Sequence, residues 1–171
     1  MPQTAAQIAC LGENGAFRCT LDTGHIFDSD DRQQEIDRLT DLIAGQMLAG
    51  RDVMFHSPID PAGVAATRQA GAAAGWSPDA IAHGVSSALA EVTARVLART
   101  GQNRLIVAGG ETSAAACRRL SVHEMRVWKE IRPGLPSCLT LTDPPLLLVL
   151  KSGSFGQPDF FQHALEHLRT E

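Results

Sequence analysis

The chain has 171 residues, 44% of them hydrophobic and only 5% aromatic, and a net charge of −4. That length supports one domain with a substantial core, which must be built from Leu, Val, Ile and Ala because Tyr is absent. The fifteen basic residues are scattered, which argues against a nucleic-acid partner. No apolar run approaches the length of a bilayer span, so no membrane partner is expected. Met1-Pro2-Gln3-Thr4 carries neither a basic segment nor an apolar signal core, so the expected location is the cytoplasm.

Helix and strand signals alternate along the chain. Residues 4–14 suit a helix stopped by Gly15, and residues 17–22 read as a strand. Across 31–48, Ile36, Leu39, Ile43 and Met47 recur on one helical face, with Asp30 or Asp31 as cap and Gly50 as exit. Residues 52–57 predict a second strand, closed by Pro58. The stretch 61–77 is rich in Ala and Gly, and Gly63, Gly71 and Gly75 each weaken a helix by about 1 kcal/mol against Ala. A helix ending at Gly75 and a loop are both open there. Ile81, Val85, Leu89, Val92 and Val96 then mark a long amphipathic helix ending at Gly101.

Residues 104–108 are apolar and partly β-branched, the composition of a strand buried on both faces. They enter Gly109-Gly110, and a small-residue helix is expected over 114–120. Residues 122–131 alternate like a strand, and Pro133-Gly134-Leu135-Pro136 predicts a turn that cannot extend a central strand. Residues 138–141 and 146–150 are expected to pair as neighbours around Asp143-Pro144-Pro145. Phe160, Phe161, Ala164, Leu165 and Leu168 give the last helix one apolar face. The alternation predicts a Rossmann-like α/β fold: a mostly parallel or mixed sheet with helices on both faces, in a single domain over 1–171.

Cys10, Cys19, Cys117 and Cys138 form no C-x-x-C pair and read as free thiols. His163 and His167 lie four apart on the last helix, but no third ligand accompanies them and no metal site is assigned. His56, at a strand end, reads as a packed histidine. No Ser-His-Asp or Cys-His arrangement is apparent, and no catalytic residue is named.

Two strand–glycine turn–helix units stand out. Leu105 to Ala108 runs into Gly109-Gly110-Glu111-Thr112-Ser113, and Leu146 to Leu150 runs into Lys151-Ser152-Gly153-Ser154-Phe155-Gly156. Glycine permits sharp turns and close ligand approach, and a following helix aims its free amides and positive dipole end at the turn. Either turn alone is equally explained as a tight connection. Neither has the spacing of a Walker loop or a dinucleotide fingerprint. Together they point to a phosphate site at the carboxyl edge of a sheet. Glu111, a carboxylate beside bound phosphates, would serve as a ligand or outer partner of Mg2+, or simply sit at a helix start. Lys151 would either neutralise phosphate charge or be a solvated residue at a strand end.

Three ordered motifs carry a resemblance: Ala108 to Ser113, Glu130-Ile131-Arg132-Pro133-Gly134-Leu135-Pro136, and Leu150 to Gly156 followed by Asp159-Phe160-Phe161. With Thr4-Ala5-Ala6-Gln7-Ile8 they resemble, over nearly the whole chain, the nucleotide-binding C-terminal domain of the four-carbon acid sugar kinases. The resemblance implies ATP-dependent phosphorylation of tetronates or 3-oxo-tetronates, with Mg2+ arriving through the nucleotide. It implies that Gly109, Gly110, Glu111, Thr112 and Gly153 line the ATP site. Ser154 stands where the family usually has Asn. Members also have an N-terminal domain that binds the sugar acid, and a strand with a serine-containing turn just before the position of Thr4. Neither is in this sequence. The expectation is therefore a domain incomplete for catalysis alone, with an uncovered edge that favours self-association or a separate chain. The alternative is a non-catalytic α/β module that binds another anion or a protein partner at the same edge.

Overall fold

The computed structural model describes residues 2–171. Helix α1 (Pro2–Glu13) leads into β1 (Phe17–Thr20), α2 (Ser29–Leu48), β2 (Val53–His56), α3 (Pro61–Ala73) and α4 (Pro78–Thr100). Then come β3 (Arg104–Ala108), α5 (Gly110–Arg119), β4 (Met125–Arg132), β5 (Leu135–Thr140), β6 (Leu147–Lys151) and α6 (Phe160–Thr170). The mixed α/β architecture with flanking helices is the one the alternation predicts.

Local chemistry sets the boundaries. Asp28, not Asp30 or Asp31, caps α2, its carboxylate accepting from the amides of Asp30 and Asp31. The expected caps instead occupy the first turn, where their charge favours the positive helix end. The open stretch after Pro61 is helical: Asp60 accepts from the Gly63 amide, and Pro61 starts the helix without losing a bond it could make. Gly71 is buried there with Ile81 and Phe27 where its side chain would be, so glycine permits the close approach of α3. Ser77 caps α4, and Gly101, at φ 68°, ends it in a left-handed turn.

The strands form two hydrogen-bonded groups, β1–β2 and β3–β6–β5–β4. β1 and β2 are parallel, as are β3 and β6, while β4, β5 and β6 are antiparallel. The expected pairing of the last two strands holds, with Cys138 opposite Leu148. Pro136, expected in a turn, lies inside β5 opposite Glu130. It is tolerated because it stands near the strand's start, beside a register shift in β4.

Helices cover both faces. α1 and α6 bury Ile8, Leu11, Phe160, Phe161 and Leu168 against Met54, Leu147 and Val149. On the other face, α2 and α4 enclose Leu21, Ile36, Leu39, Val92 and Val96, and α5 packs Ala116 against Val107 and Leu148. β3 departs from expectation: of its five residues only Val107 is buried, whereas β6 buries four of five.

Candidate functional site

The two glycine turns meet at the carboxyl ends of β3 and β6. Ala108 pairs with Lys151, and one residue further the Gly109 amide donates to the Lys151 carbonyl at 2.9 Å. Gly109 has φ 104° and ψ 131°, a conformation that any side chain would strain. The chain turns there directly into α5, so Gly110, Glu111 and Thr112 form its first turn. The expected start near residue 114 is too late, because Gly109 alone makes the whole reversal.

No side chain caps α5. Its first amides therefore face outward without an internal acceptor, together with the positive end of the helix dipole. A side chain built at Gly110 meets nothing within 4 Å, so the space in front of this turn is open. Glu111 is exposed on the same turn, and Thr112 is half-buried with its hydroxyl close to Gly109.

Gly153 is buried on the opposite side of the edge, where its carbonyl accepts from the Thr4 hydroxyl at 2.8 Å and from the Lys151 ammonium at 3.4 Å. Gln7 is fully buried and donates to the carbonyls of Phe155 and Gln157 at 3.1 and 2.9 Å. One face of α1 thus clamps the whole second turn. Neither residue stood out as functional in the sequence. The available signal was a Thr and a Gln three apart on one face of a helix that also carries Ile8 and Leu11, which put two polar groups beside a buried apolar stripe.

Lys151 corrects the expectation of a solvated or phosphate-reaching side chain. It is only 1% exposed, with its ammonium turned back to Gly153 and 5.7 Å from the centre of the Phe161 ring. Burial holds its pKa below the usual lysine value. The residue braces the loop from inside, because the strand end directs it into the core beneath α6.

The histidines separate. The Arg132 guanidinium hydrogen-bonds His163 Nδ1 at 2.9 Å, and His167 bonds to the hydroxyl of Ser137, which is itself fully buried and donates to the Lys129 carbonyl. Among the described residues no group of three or more His, Cys, Asp or Glu is arranged to hold a metal ion. His56 is packed as expected, with Nδ1 against the Ser57 carbonyl and Nε2 accepting from Arg18 at 2.9 Å. Desolvation lowers its pKa, which favours the neutral ring. The four cysteines are free. A cleft of about 590 Å³, lined by Asp22, Thr23, Arg38 and Thr67 among others, opens at the carboxyl ends of β1 and β2. Among the described residues no helix is long and apolar enough to cross a membrane.

Two glycine turns and an uncapped helix start thus meet at one strand edge of a mixed α/β domain. Residues 1–161 match the family described as nucleotide-binding C-terminal domain, and the chain belongs to that family, the C-terminal domain of the four-carbon acid sugar kinases. It is 51% identical over 86 residues to a 3-oxo-tetronate kinase of Cupriavidus necator, covering 50% of this chain and 20% of that protein. It is 34% identical over 167 residues to a 3-oxo-isoapionate kinase of Paraburkholderia graminis, covering 94% and 35%. A crystal structure of a Salmonella typhimurium LT2 protein superposes with a TM-score of 0.75 at 27% identity, covering 96% of this chain and 38% of that one. The chain thus spans at most about two fifths of the length of these proteins.

Proposed function

We propose that this domain binds ATP, with Mg2+ carried on the phosphates, and forms the nucleotide half of a kinase site for four-carbon sugar acids such as 3-oxo-tetronates. The observation that carries the reading is the uncapped start of α5, held against β6 by the Gly109–Lys151 bond with open space before Gly110. Phosphoryl transfer rests on positioning and charge neutralisation, and helix-start amides supply both without a reactive side chain. In this reading Gly109, Gly110, Thr112 and Gly153 shape the phosphate edge, and Glu111 is the carboxylate placed to meet the phosphate-bound cation. The names of the relatives support the kinase class and the sugar-acid acceptor.

The acceptor hydroxyl must stand in line with the terminal phosphate, and misplacement costs about 100-fold in rate. We assign that positioning to a sugar-acid domain outside this chain. Calorimetric titration with ATP and Mg2+ tests the nucleotide reading, and adenosine is the control. Binding of ATP well above adenosine is expected, and no ATP binding by the folded domain would refute the reading. An assay with threonate, erythronate and their 3-oxo forms is expected to show turnover only when a sugar-acid domain is added. Robust turnover by this chain alone would refute the division of labour.

A further inference from the structure

The sequence has six phenylalanines, and the fold packs five of them. Phe160 and Phe161 are buried at the start of α6, Phe27 meets Trp76 edge-on at 5.4 Å, and Phe17 and Phe55 are half-buried in β1 and β2. Phe155 is the exception, 56% exposed in the second glycine turn. Among the described residues the other large exposed apolar side chains lie on β4, just after β5 and at the end of α2. Only Phe155 stands at the edge where β3 and β6 end.

This ring is not carried on a loose loop. The Gly153 carbonyl accepts from Thr4 and Lys151, and Gln7 donates to the carbonyls of Phe155 and Gln157. The Phe155 amide closes the turn on the Ser152 carbonyl at 3.2 Å. Gly156, at φ 84°, seats the chain so closely that a side chain there would lie 3.0 Å from Gln7 and 3.1 Å from Phe160. The backbone around Phe155 is therefore fixed on α1 and α6, with the ring left on the solvent side. A ring held in water forgoes the burial that stabilises its five counterparts. Held rigidly, it meets a flat partner with little ordering cost.

Two hydrogen bonds set its place relative to the phosphate edge. The Gly109 amide meets the Lys151 carbonyl, and the Phe155 amide meets the carbonyl of the next residue, Ser152. One peptide unit separates those carbonyls, so the Phe155 amide stands within about 12 Å of the Gly109 amide. A ribose and the phosphates attached to it span such a distance.

We propose that the Phe155 ring is the platform on which the adenine of ATP stacks while the phosphates lie before Gly110. The inference rests on the nucleotide reading of the glycine turns and adds where the base goes. Stacking engages the flat face of the base and needs no hydrogen bond to its edge, so a rigid, accessible ring suffices.

The test is calorimetry with Mg2+–ATP and with Mg2+–tripolyphosphate, which carries the phosphates without a base, on the parent, Phe155→Ala, Phe155→Trp and Gly110→Val. Phe155→Ala is expected to weaken ATP about tenfold or more, to leave tripolyphosphate within about twofold, and to keep the urea midpoint. Phe155→Trp should retain ATP affinity and gain an indole fluorescence change that ATP produces and tripolyphosphate does not. Gly110→Val should weaken both ligands. Equal ATP affinity in the parent and Phe155→Ala, with both ligands still weakened by Gly110→Val, would overturn the base platform and leave the phosphate site standing. Parallel loss of ATP and tripolyphosphate in folded Phe155→Ala would make Phe155 a loop-shaping residue and overturn the proposal too. If Phe155→Ala does not fold, Phe155→Leu, which keeps apolar bulk without an aromatic face, replaces it under the same expectations. No ATP binding by the parent would refute the nucleotide reading itself, and the platform with it.

Discussion

The Thr4 hydroxyl donates to the Gly153 carbonyl at 2.8 Å across 149 residues of sequence. The bond fixes the first helix to the last glycine turn, and Gln7, one turn further along α1, doubles the attachment through Phe155 and Gln157. The nucleotide-side loop is therefore held by the amino-terminal end of the domain. Gln7→Leu removes two bonds and leaves two carbonyls short of a donor, which is expected to cost about 1–3 kcal/mol in chemical denaturation. Exchange at the amides of residues 152–157 should quicken in the same variant, and unchanged exchange there would contradict the clamp.

Gly110→Val separates binding from folding. Its side chain enters open space at the start of α5, so the urea midpoint should stay within experimental scatter of the parent. ATP affinity should fall about tenfold or more, equivalent to about 1.4 kcal/mol. Gly109→Val, by contrast, strains a residue at φ 104° and should lower the midpoint as well. Equal ATP affinity in folded Gly110→Val would move the phosphates elsewhere.

Lys151 should behave as a core residue. Lys151→Ala leaves a cavity and is expected to cost about 2–5 kcal/mol, while Lys151→Met keeps most of the volume and recovers much of it. The buried ammonium has a lowered pKa, so the unfolded chain binds the extra proton between the folded value and about 10.5. Stability should therefore rise with pH in that window for the parent and stay flat for Lys151→Met. Denaturation midpoints of the two proteins across alkaline pH check the sign.

Glu91 of α4 joins α4 to α5 through Arg119, and bonds Arg95 within its own helix. The Arg119 and Arg95 guanidinium groups outweigh desolvation and pull its pKa down to about 2. A depressed carboxylate stabilises the fold above its unfolded value of 4.5 and loses that contribution as pH falls towards 2. The parent should lose about 1 kcal/mol more than Glu91→Gln over that interval, the order expected for partly exposed ion pairs. Parallel acid-denaturation curves would contradict it.

Much of this protein is written locally. Apolar periodicity specifies α2, α4 and α6, because a helix exposed on one side needs only its own residues to declare the buried face. Gly109 and Gly110 declare a strand-to-helix reversal because few other residues make one. The ordered motifs from Ala108 to Phe161 specify the family for the same reason: each is a short run whose backbone demands are met by neighbours in sequence. Other properties depend on distant partners. Lys151 reads as a surface charge until α6 and Phe161 close over it. Thr4 and Gln7 read as helix surface until the loop at 153–157 arrives to use them. The strand at 104–108 has a fully buried composition, yet the fold leaves its outer edge open. Only tertiary structure decides these cases, because burial and hydrogen-bond partnership are properties of two segments, and the sequence of either one is silent about the other.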